Sequence, residues 1–363
     1  MRNHVDFNQD PFIVIWELTR ACLLRCLHCR ADAQYYRHSQ ELNFQEGKAL
    51  IDQIHEMNNP ILVFTGGDPL MREDLFDLIQ YAVDKGVRVS MTPSATPKVT
   101  KEAIAKAKGH GLARWAFSID GPNKEIHDYF RGTDGSFDLT INAIRYLHEL
   151  DLPVQINTVI SKNNSDYIKE MADLVASLNA VLWSVFFLVP TGRGERLTPI
   201  SPEEHEGVLH QLYDIKKEKS FDIKTTEAQH FRRVIIQRNK EERRNESLFQ
   251  TERTAKVDVL GRAPRGVNSG KGFLFISHIG DVYPSGFLPI KCGNVRERSL
   301  ADIYRNHHVF QELRNANLYK GKCGACEYRH ICGGSRARAY AVTGDYLESE
   351  PYCTYIPNGY QHD

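Results

Sequence analysis

Trp16-Glu17-Leu18-Thr19-Arg20-Ala21-Cys22-Leu23-Leu24-Arg25-Cys26-Leu27-His28-Cys29-Arg30 is the stretch that decides how this chain reads. An apolar run, Phe12 to Trp16, has the character of a strand, and beyond it three cysteines stand at spacing C-x3-C-x2-C. Three thiolates on one short loop can hold three irons of a cubane cluster and leave the fourth iron without a protein ligand. An iron with an open site binds and activates a small molecule, whereas four-cysteine ligation mainly stores or passes electrons. Structural zinc wants four closed ligands, usually as two C-x2-C knuckles, and a single C-x2-C with one earlier cysteine fits that poorly. Scattered core thiols are the other alternative, and three within eight residues of a polar loop argue against it.

From residue 12 to about 190, strand and helix patterns alternate six times. The predicted strands are Phe12–Glu17, Ile61–Thr65, Val87–Thr92, Arg114–Ile119, Val154–Ile160 and Val181–Val189. Helical periodicity runs through Gln45–Met57, Leu75–Val83, Thr100–Lys108, Phe137–Leu150 and Tyr167–Leu178. Ser136 and Ser165 read as N-caps, Gly86 and Gly111 as helix ends. Such alternation implies a parallel sheet with right-handed crossovers, and six units fall short of the eight that close a full barrel. Ligands in these sheets bind at the carboxyl ends of the strands, where the cysteine loop lies. The second strand ends in Thr65-Gly66-Gly67-Asp68-Pro69, whose paired glycines allow close backbone approach to a ligand. Alone, that sequence would be an ordinary turn.

On these residues the chain resembles the radical SAM superfamily. The resemblance implies a partial (β/α)6 barrel, α/β in class, with a 4Fe-4S cluster on Cys22, Cys26 and Cys29. It also implies S-adenosylmethionine as cofactor, chelated by the open iron and cleaved reductively to a 5′-deoxyadenosyl radical. Gly66, Gly67, Asp68 and Pro69 then correspond to the family's Gly-Gly-Glu-Pro element, which binds the amino group of S-adenosylmethionine. Asp68 replaces the usual glutamate, which puts only the carboxylate's role in question. Ser118 and Asp120 at the fourth strand, Asn157 in the fifth and Pro190 after the sixth lie where the resemblance puts contacts to the methionine carboxylate, ribose or adenine. Each reads equally as a cap or turn residue. Arg131 either pairs with a carboxylate or is a solvated loop residue.

The expected division is a barrel over 1–200, a helical, charged segment over 201–271 and an auxiliary module over 272–363. A helix is predicted over Pro202–Lys219. Between Phe231 and Arg265 ten Lys/Arg stand against five Asp/Glu. That stretch is a solvated face, or Arg232 and Arg233 clamp substrate carboxylates. His230 is a candidate axial ligand to a metallo-tetrapyrrole or a general acid, against the plainer reading of an ordinary histidine. Phe273–His278 and Val282-Tyr283-Pro284 read as a hairpin. A helix is predicted near Leu300–Arg314. Cys323, Cys326 and Cys332 at C-x2-C-x5-C, with Cys353 further on, could close a second cubane. This looks like the SPASM/twitch extension of radical SAM enzymes and implies one auxiliary 4Fe-4S cluster. Ser285 and Arg336 stand where fuller members of that group carry further cysteines, which leaves Cys292 a free thiol or a late-recruited ligand. Zinc is the alternative for the four cysteines.

Lys+Arg and Asp+Glu are both 46 in 363 residues, so no global field points to nucleic acid or membrane. The longest apolar run, Val185 to Val189 with its neighbours, is too short to cross a bilayer, and the N-terminus lacks an apolar signal region. Eight cysteines without an export signal point to metal ligation and a cytoplasmic protein. A flavodoxin or ferredoxin donor is implied by the resemblance. The segment from Cys332 to Leu347, ending in Pro351-Tyr352-Cys353, is similar to enzymes that trim tetrapyrrole side chains on siroheme-derived routes to heme. Peptide maturases are the alternative substrate class. Only 21 residues precede Cys22, so the peptide-recognition domain common in those enzymes is not expected. A non-catalytic electron carrier is a third class, against which the glycine-rich nucleoside site argues.

Overall fold

The computed structural model describes residues 5–245 and 266–361, so the far end of the charged stretch toward Arg265 lies outside the described residues. Six strands follow one another as expected: β1 (Ile13–Glu17), β2 (Ile61–Thr65), β3 (Val89–Met91), β4 (Arg114–Ser118), β5 (Val154–Ile160) and β6 (Leu182–Phe187). All pair in parallel with their sequence neighbours, in the order that right-handed crossovers produce. The fold is α/β, a partial (β/α)6 barrel with a small cysteine-rich C-terminal part.

Two features go beyond that expectation. The segment between the barrel and the C-terminal part holds the helix Pro202–Glu218 and also a seventh strand, β7 (Asp222–Thr226), parallel to β6 at the sheet edge. The hairpin is not a free-standing ornament either. Its first strand, β8 (Phe273–Ile276), pairs in parallel with β1, and β9 (Asp281–Tyr283) and β10 (Gly293–Asn294) add on antiparallel. One ten-stranded sheet therefore runs β10-β9-β8-β1-β2-β3-β4-β5-β6-β7.

Alternation along each strand sets two faces. Val14, Trp16, Leu62, Phe64, Trp115, Phe117, Trp183 and Val185 point to one side and join a single apolar core. Between them, Ser118, Asn157 and Ser184 occupy the opposite face in register across β4, β5 and β6.

The helix boundaries shift by a residue or so. Ser136 is the first residue of its helix, with Gly135 at φ 79° in the cap position, while Ser165 begins a short 3-10 turn whose cap position is held by Asn164 with no side-chain bond to the turn. Gly86 and Gly111, at φ 78° and 83°, do follow helix ends. An additional helix, Lys124–Arg131, is capped by Asn123, so Arg131 is a helix-terminal residue and not a loop residue. The helix expected over 300–314 is two short ones, Leu300–Asn306 and His308–Arg314.

Candidate functional site

The cysteine loop leaves the carboxyl end of β1 and folds back on itself. Cys22 N donates to Gln34 O at 2.7 Å and Gln34 N to Arg20 O at 2.9 Å. Thr19 Oγ1 donates to the buried Glu41 at 2.6 Å. Cys22 and Cys26 are buried in one small cluster with Leu24, and Cys29 packs against it. Two of them already face N–H donors, Leu24 N to Cys22 Sγ at 3.3 Å and Ala33 N to Cys29 Sγ at 3.5 Å. Such N–H···S contacts are among the protein's means of tuning a cluster. Burial pushes the Cys22 thiol up to about 11 and the Cys26 thiol upward as well. Metal uptake here must therefore release protons.

The Gly-Gly-Asp-Pro turn is clamped onto that loop. Gly67 N donates to Thr19 O and Asp68 N to Ala21 O, both at 2.7 Å. A Cβ on Gly66 would lie 2.5 Å from Thr19 O, and one on Gly67 2.4 Å from Ala21 O and 2.6 Å from Arg20 O. The steric demand for both glycines thus comes from the neighbouring backbone, where the sequence suggested a ligand. Asp68 is fully buried and turns inward: Oδ2 accepts from Thr96 Oγ1 at 2.9 Å and Oδ1 from Leu70 N at 3.2 Å, capping the turn at Pro69. Burial raises its carboxyl to about 6. Ser94, which the sequence reading passed over, joins the two loops by touching Cys22 Sγ at 3.4 Å and donating to Gly67 O at 3.0 Å.

Arg131 and Asp120 form one buried unit. Arg131 Nη2 lies 2.6 Å from Asp120 Oδ2, and Nη1 contacts Cys26 Sγ at 3.6 Å. Asp120 Oδ1 accepts from Val159 N at 2.7 Å. Paired with Asp120 and touching Cys26 Sγ, Arg131 supports that sulfur, while its buried Nε has no acceptor among the described residues. Arg193, within the short 3-10 turn Gly192–Arg196 that follows the half-buried Pro190, donates from Nε to Cys26 O at 3.0 Å and from its backbone to Cys29 O at 3.1 Å. Ser118 is half-buried and stands opposite Asn157. Asn157 stands opposite Ser184, whose buried Oγ has no partner among the described residues. This polar row includes one residue, Ser184, that the apolar run of β6 concealed.

Glu17, also unsuspected, ends β1. It accepts from Arg30 Nη2 at 2.5 Å and His278 Nδ1 at 2.8 Å, tying the cysteine loop to the segment after β8. Burial alone would raise its carboxyl, but Arg30 and His278 hold it at about 2.

At the far end, Cys323, Cys326, Cys332 and Cys353 line one cavity with His230 and Arg233, and Cys292 is not among its lining residues. Each sulfur meets an N–H: Glu350 N to Cys323 and Arg336 Nη2 to the same sulfur, Tyr328 N to Cys326, Gly334 N to Cys332, and the Tyr355 backbone to Cys353. No three His, Cys, Asp or Glu side chains converge on a single-ion point among the described residues. Thiolates around a cubane each take a different iron and need no such convergence. His230 is fully buried, its Nε2 3.0 Å from His205 Nδ1 and its Nδ1 without a partner among the described residues. It belongs to the wall of the cavity lined by the four C-terminal cysteines. Arg233 pairs bidentately with Glu206 and Arg232 donates to Ile331 O and Val267 O, so neither presents a free clamp.

A model of the radical SAM superfamily matches residues 16–175, and one of an iron–sulfur cluster-binding domain, SPASM, matches 268–327. An AdoMet-dependent heme synthase of Methanosarcina barkeri is 42% identical over 347 residues, spanning 96% of this chain and 97% of that protein. The chain belongs to the radical SAM superfamily. Another AdoMet-dependent heme synthase, from Nitratidesulfovibrio vulgaris, is 43% identical over 95% of this chain and 92% of its own length. Among solved structures, Streptococcus suis SuiB bound to S-adenosylmethionine superposes at TM-score 0.72 with 16% identity over 96% of this chain and 78% of that one, a likeness of fold. This radical SAM chain is thus an enzyme whose cofactors are a 4Fe-4S cluster, S-adenosylmethionine and auxiliary iron–sulfur ligation through its SPASM domain. No described helix is long and apolar enough to cross a membrane.

Proposed function

We propose that this radical SAM enzyme converts propionate side chains of an iron tetrapyrrole to vinyl groups, the step that turns an iron-coproporphyrin into heme. The observation that carries the reading is full-length similarity above 40% to two proteins named AdoMet-dependent heme synthase. In this reading Cys22, Cys26 and Cys29 hold the first cluster, and the Gly66–Pro69 turn shapes the seat of the methionine amino group. Ser118, Asn157 and Ser184 offer a polar row toward ribose and carboxylate, with Pro190 at its rim. When bound, cluster and S-adenosylmethionine supply a 5′-deoxyadenosyl radical that removes one hydrogen atom from the propionate. Loss of carbon dioxide and one electron then leaves the vinyl group, so each side chain sends out one electron as well as one hydrogen atom. Asp120, Arg131 and Arg193 hold the Cys26 sulfur and carbonyl in place. Cys323, Cys326, Cys332 and Cys353, which line one cavity, would hold the auxiliary cluster, and a flavodoxin- or ferredoxin-type donor would supply the electron for the first.

The test is anaerobic turnover of iron-coproporphyrin III with S-adenosylmethionine and dithionite, followed by mass spectrometry. Two successive losses of carbon dioxide together with two hydrogens, and a matching yield of 5′-deoxyadenosine, are expected. Cleavage of S-adenosylmethionine with no change in the tetrapyrrole, beside modification of a small peptide, would transfer the protein to the maturases. Relatives named mycofactocin maturase, 28% identical, are the reason to include that arm.

A further inference from the structure

Arg336 opens the helix Arg336–Thr343, is completely buried and stacks over the Tyr319 ring at 4.7 Å. Its guanidinium donates to two neutral carbonyls, Tyr346 O at 3.1 Å and Glu348 O at 2.7 Å, and to Cys323 Sγ at 3.4 Å. The other buried arginines nearby are neutralised, Arg338 by Glu350 at 3.1 Å and Arg233 by Glu206 at 2.5 Å. Arg336 makes no ion pair of its own among the described residues: the nearby carboxylates, Glu350 and Asp345, are paired with Arg338 and Lys320, and its Nε has no acceptor there either. A guanidinium cannot shed its charge, so burying it without a counter-ion is strongly unfavourable. Neutral thiols do not offset it. Four thiolates around a cubane do, because that assembly is net negative and becomes more so on reduction, and both charge and hydrogen bonds at the sulfurs set its potential.

We propose that Arg336 is the built-in counter-ion of the auxiliary site, a positioning residue that raises its reduction potential and so makes it an electron acceptor. The position is one where the resemblance led to a further cysteine; here a fixed positive charge stands in place of a ligand. The inference rests on reading Cys323, Cys326, Cys332 and Cys353 as cluster ligands. An oxidised cluster held by these four cysteines would be able to take up the one electron released with each carbon dioxide.

The test uses full-length protein carrying Cys22→Ala, Cys26→Ala and Cys29→Ala, reconstituted with iron and sulfide so that only the auxiliary site titrates, and read by EPR-monitored redox titration. Arg336→Gln is expected to lower the reduced-to-oxidised ratio at a fixed poise about tenfold, or about 59 mV for a one-electron couple. Arg336→Lys keeps the charge and is expected to stay within about threefold of the parent, the guanidinium fork alone being lost. A fully loaded Arg336→Gln protein with the parent potential overturns the proposal. If Arg336→Gln takes up no iron, Arg336→Lys decides: uptake with a near-parent potential supports the charge role, and any other result overturns it. Zinc in place of iron in the parent would overturn it through its premise. No tetrapyrrole is present, so the outcome is independent of whether heme is the product.

Discussion

Replacing Gly67 by alanine tests whether the turn after β2 and the cysteine loop act as one unit. The added Cβ would sit 2.4 Å from Ala21 O and 2.6 Å from Arg20 O, both backbone atoms, where ordinary contact begins at 3.4 Å. The two loops must therefore separate by about 1 Å, which carries the 2.7 Å bonds from Gly67 N to Thr19 O and from Asp68 N to Ala21 O beyond hydrogen-bonding range. Two lost bonds at roughly 1 kcal/mol each, with their N–H groups left buried, come to about 3 kcal/mol. Ala21 adjoins Cys22, so the same displacement moves the first thiol. A misplacement of about 1 Å can lower a catalysed rate on the order of a hundredfold. Urea denaturation of the metal-free protein reads the first effect, and release of 5′-deoxyadenosine by the reconstituted protein reads the second. A Gly67→Ala protein with parental stability and cleavage within about twofold of the parent would refute the clamping of the turn against the loop.

Asp120→Asn leaves the Arg131 charge buried beside Cys26 and should destabilise the protein by roughly 3–5 kcal/mol in urea denaturation, with Asp120→Asn/Arg131→Met recovering a large part of the loss. Glu17 is held at about 2 against 4.5, so its contribution is present above pH 4.5 and fades as pH falls toward 2. Glu17→Gln should accordingly cost about 3 kcal/mol at pH 7, and the gap should close in denaturation runs at descending pH; a pH-independent gap would contradict the assignment. Cys26→Ala should abolish 5′-deoxyadenosine release while the auxiliary absorption persists. Cys353→Ala should lower bound iron yet leave cleavage of S-adenosylmethionine intact and heme formation lost, as measured by iron assay and chromatography.

Local pattern carried the six barrel strands and the cysteine loop, because each strand buries several large apolar residues and the thiols sit in one short run. β7 escaped because Asp222-Ile223-Lys224-Thr225-Thr226 offers one aliphatic side chain to the core and lies at an edge, where polar residues are tolerated. For Arg131 the sequence leaves a carboxylate partner and a solvated loop open, because the helix it ends spans only Lys124–Arg131 and its burial depends on Asp120 and Cys26 from other elements. Glu17 and Ser184 were hidden for the opposite reason, as polar residues inside apolar runs whose partners come from other elements. His230 was singled out by its chemistry, yet its place beside Cys332 and Cys353 is a property of the tertiary fold.

The pairing of Ile13 with Phe273 has a consequence for how the molecule is made. At roughly 5–20 residues per second, a ribosome needs on the order of 10–50 s after emitting β1 to deliver β8. Throughout that interval the strand that leads into the cysteine loop keeps one flank open, an invitation to intermolecular pairing. Nascent chains halted before residue 273 should therefore clump, and iron loading of the first loop should lag until translation is nearly finished.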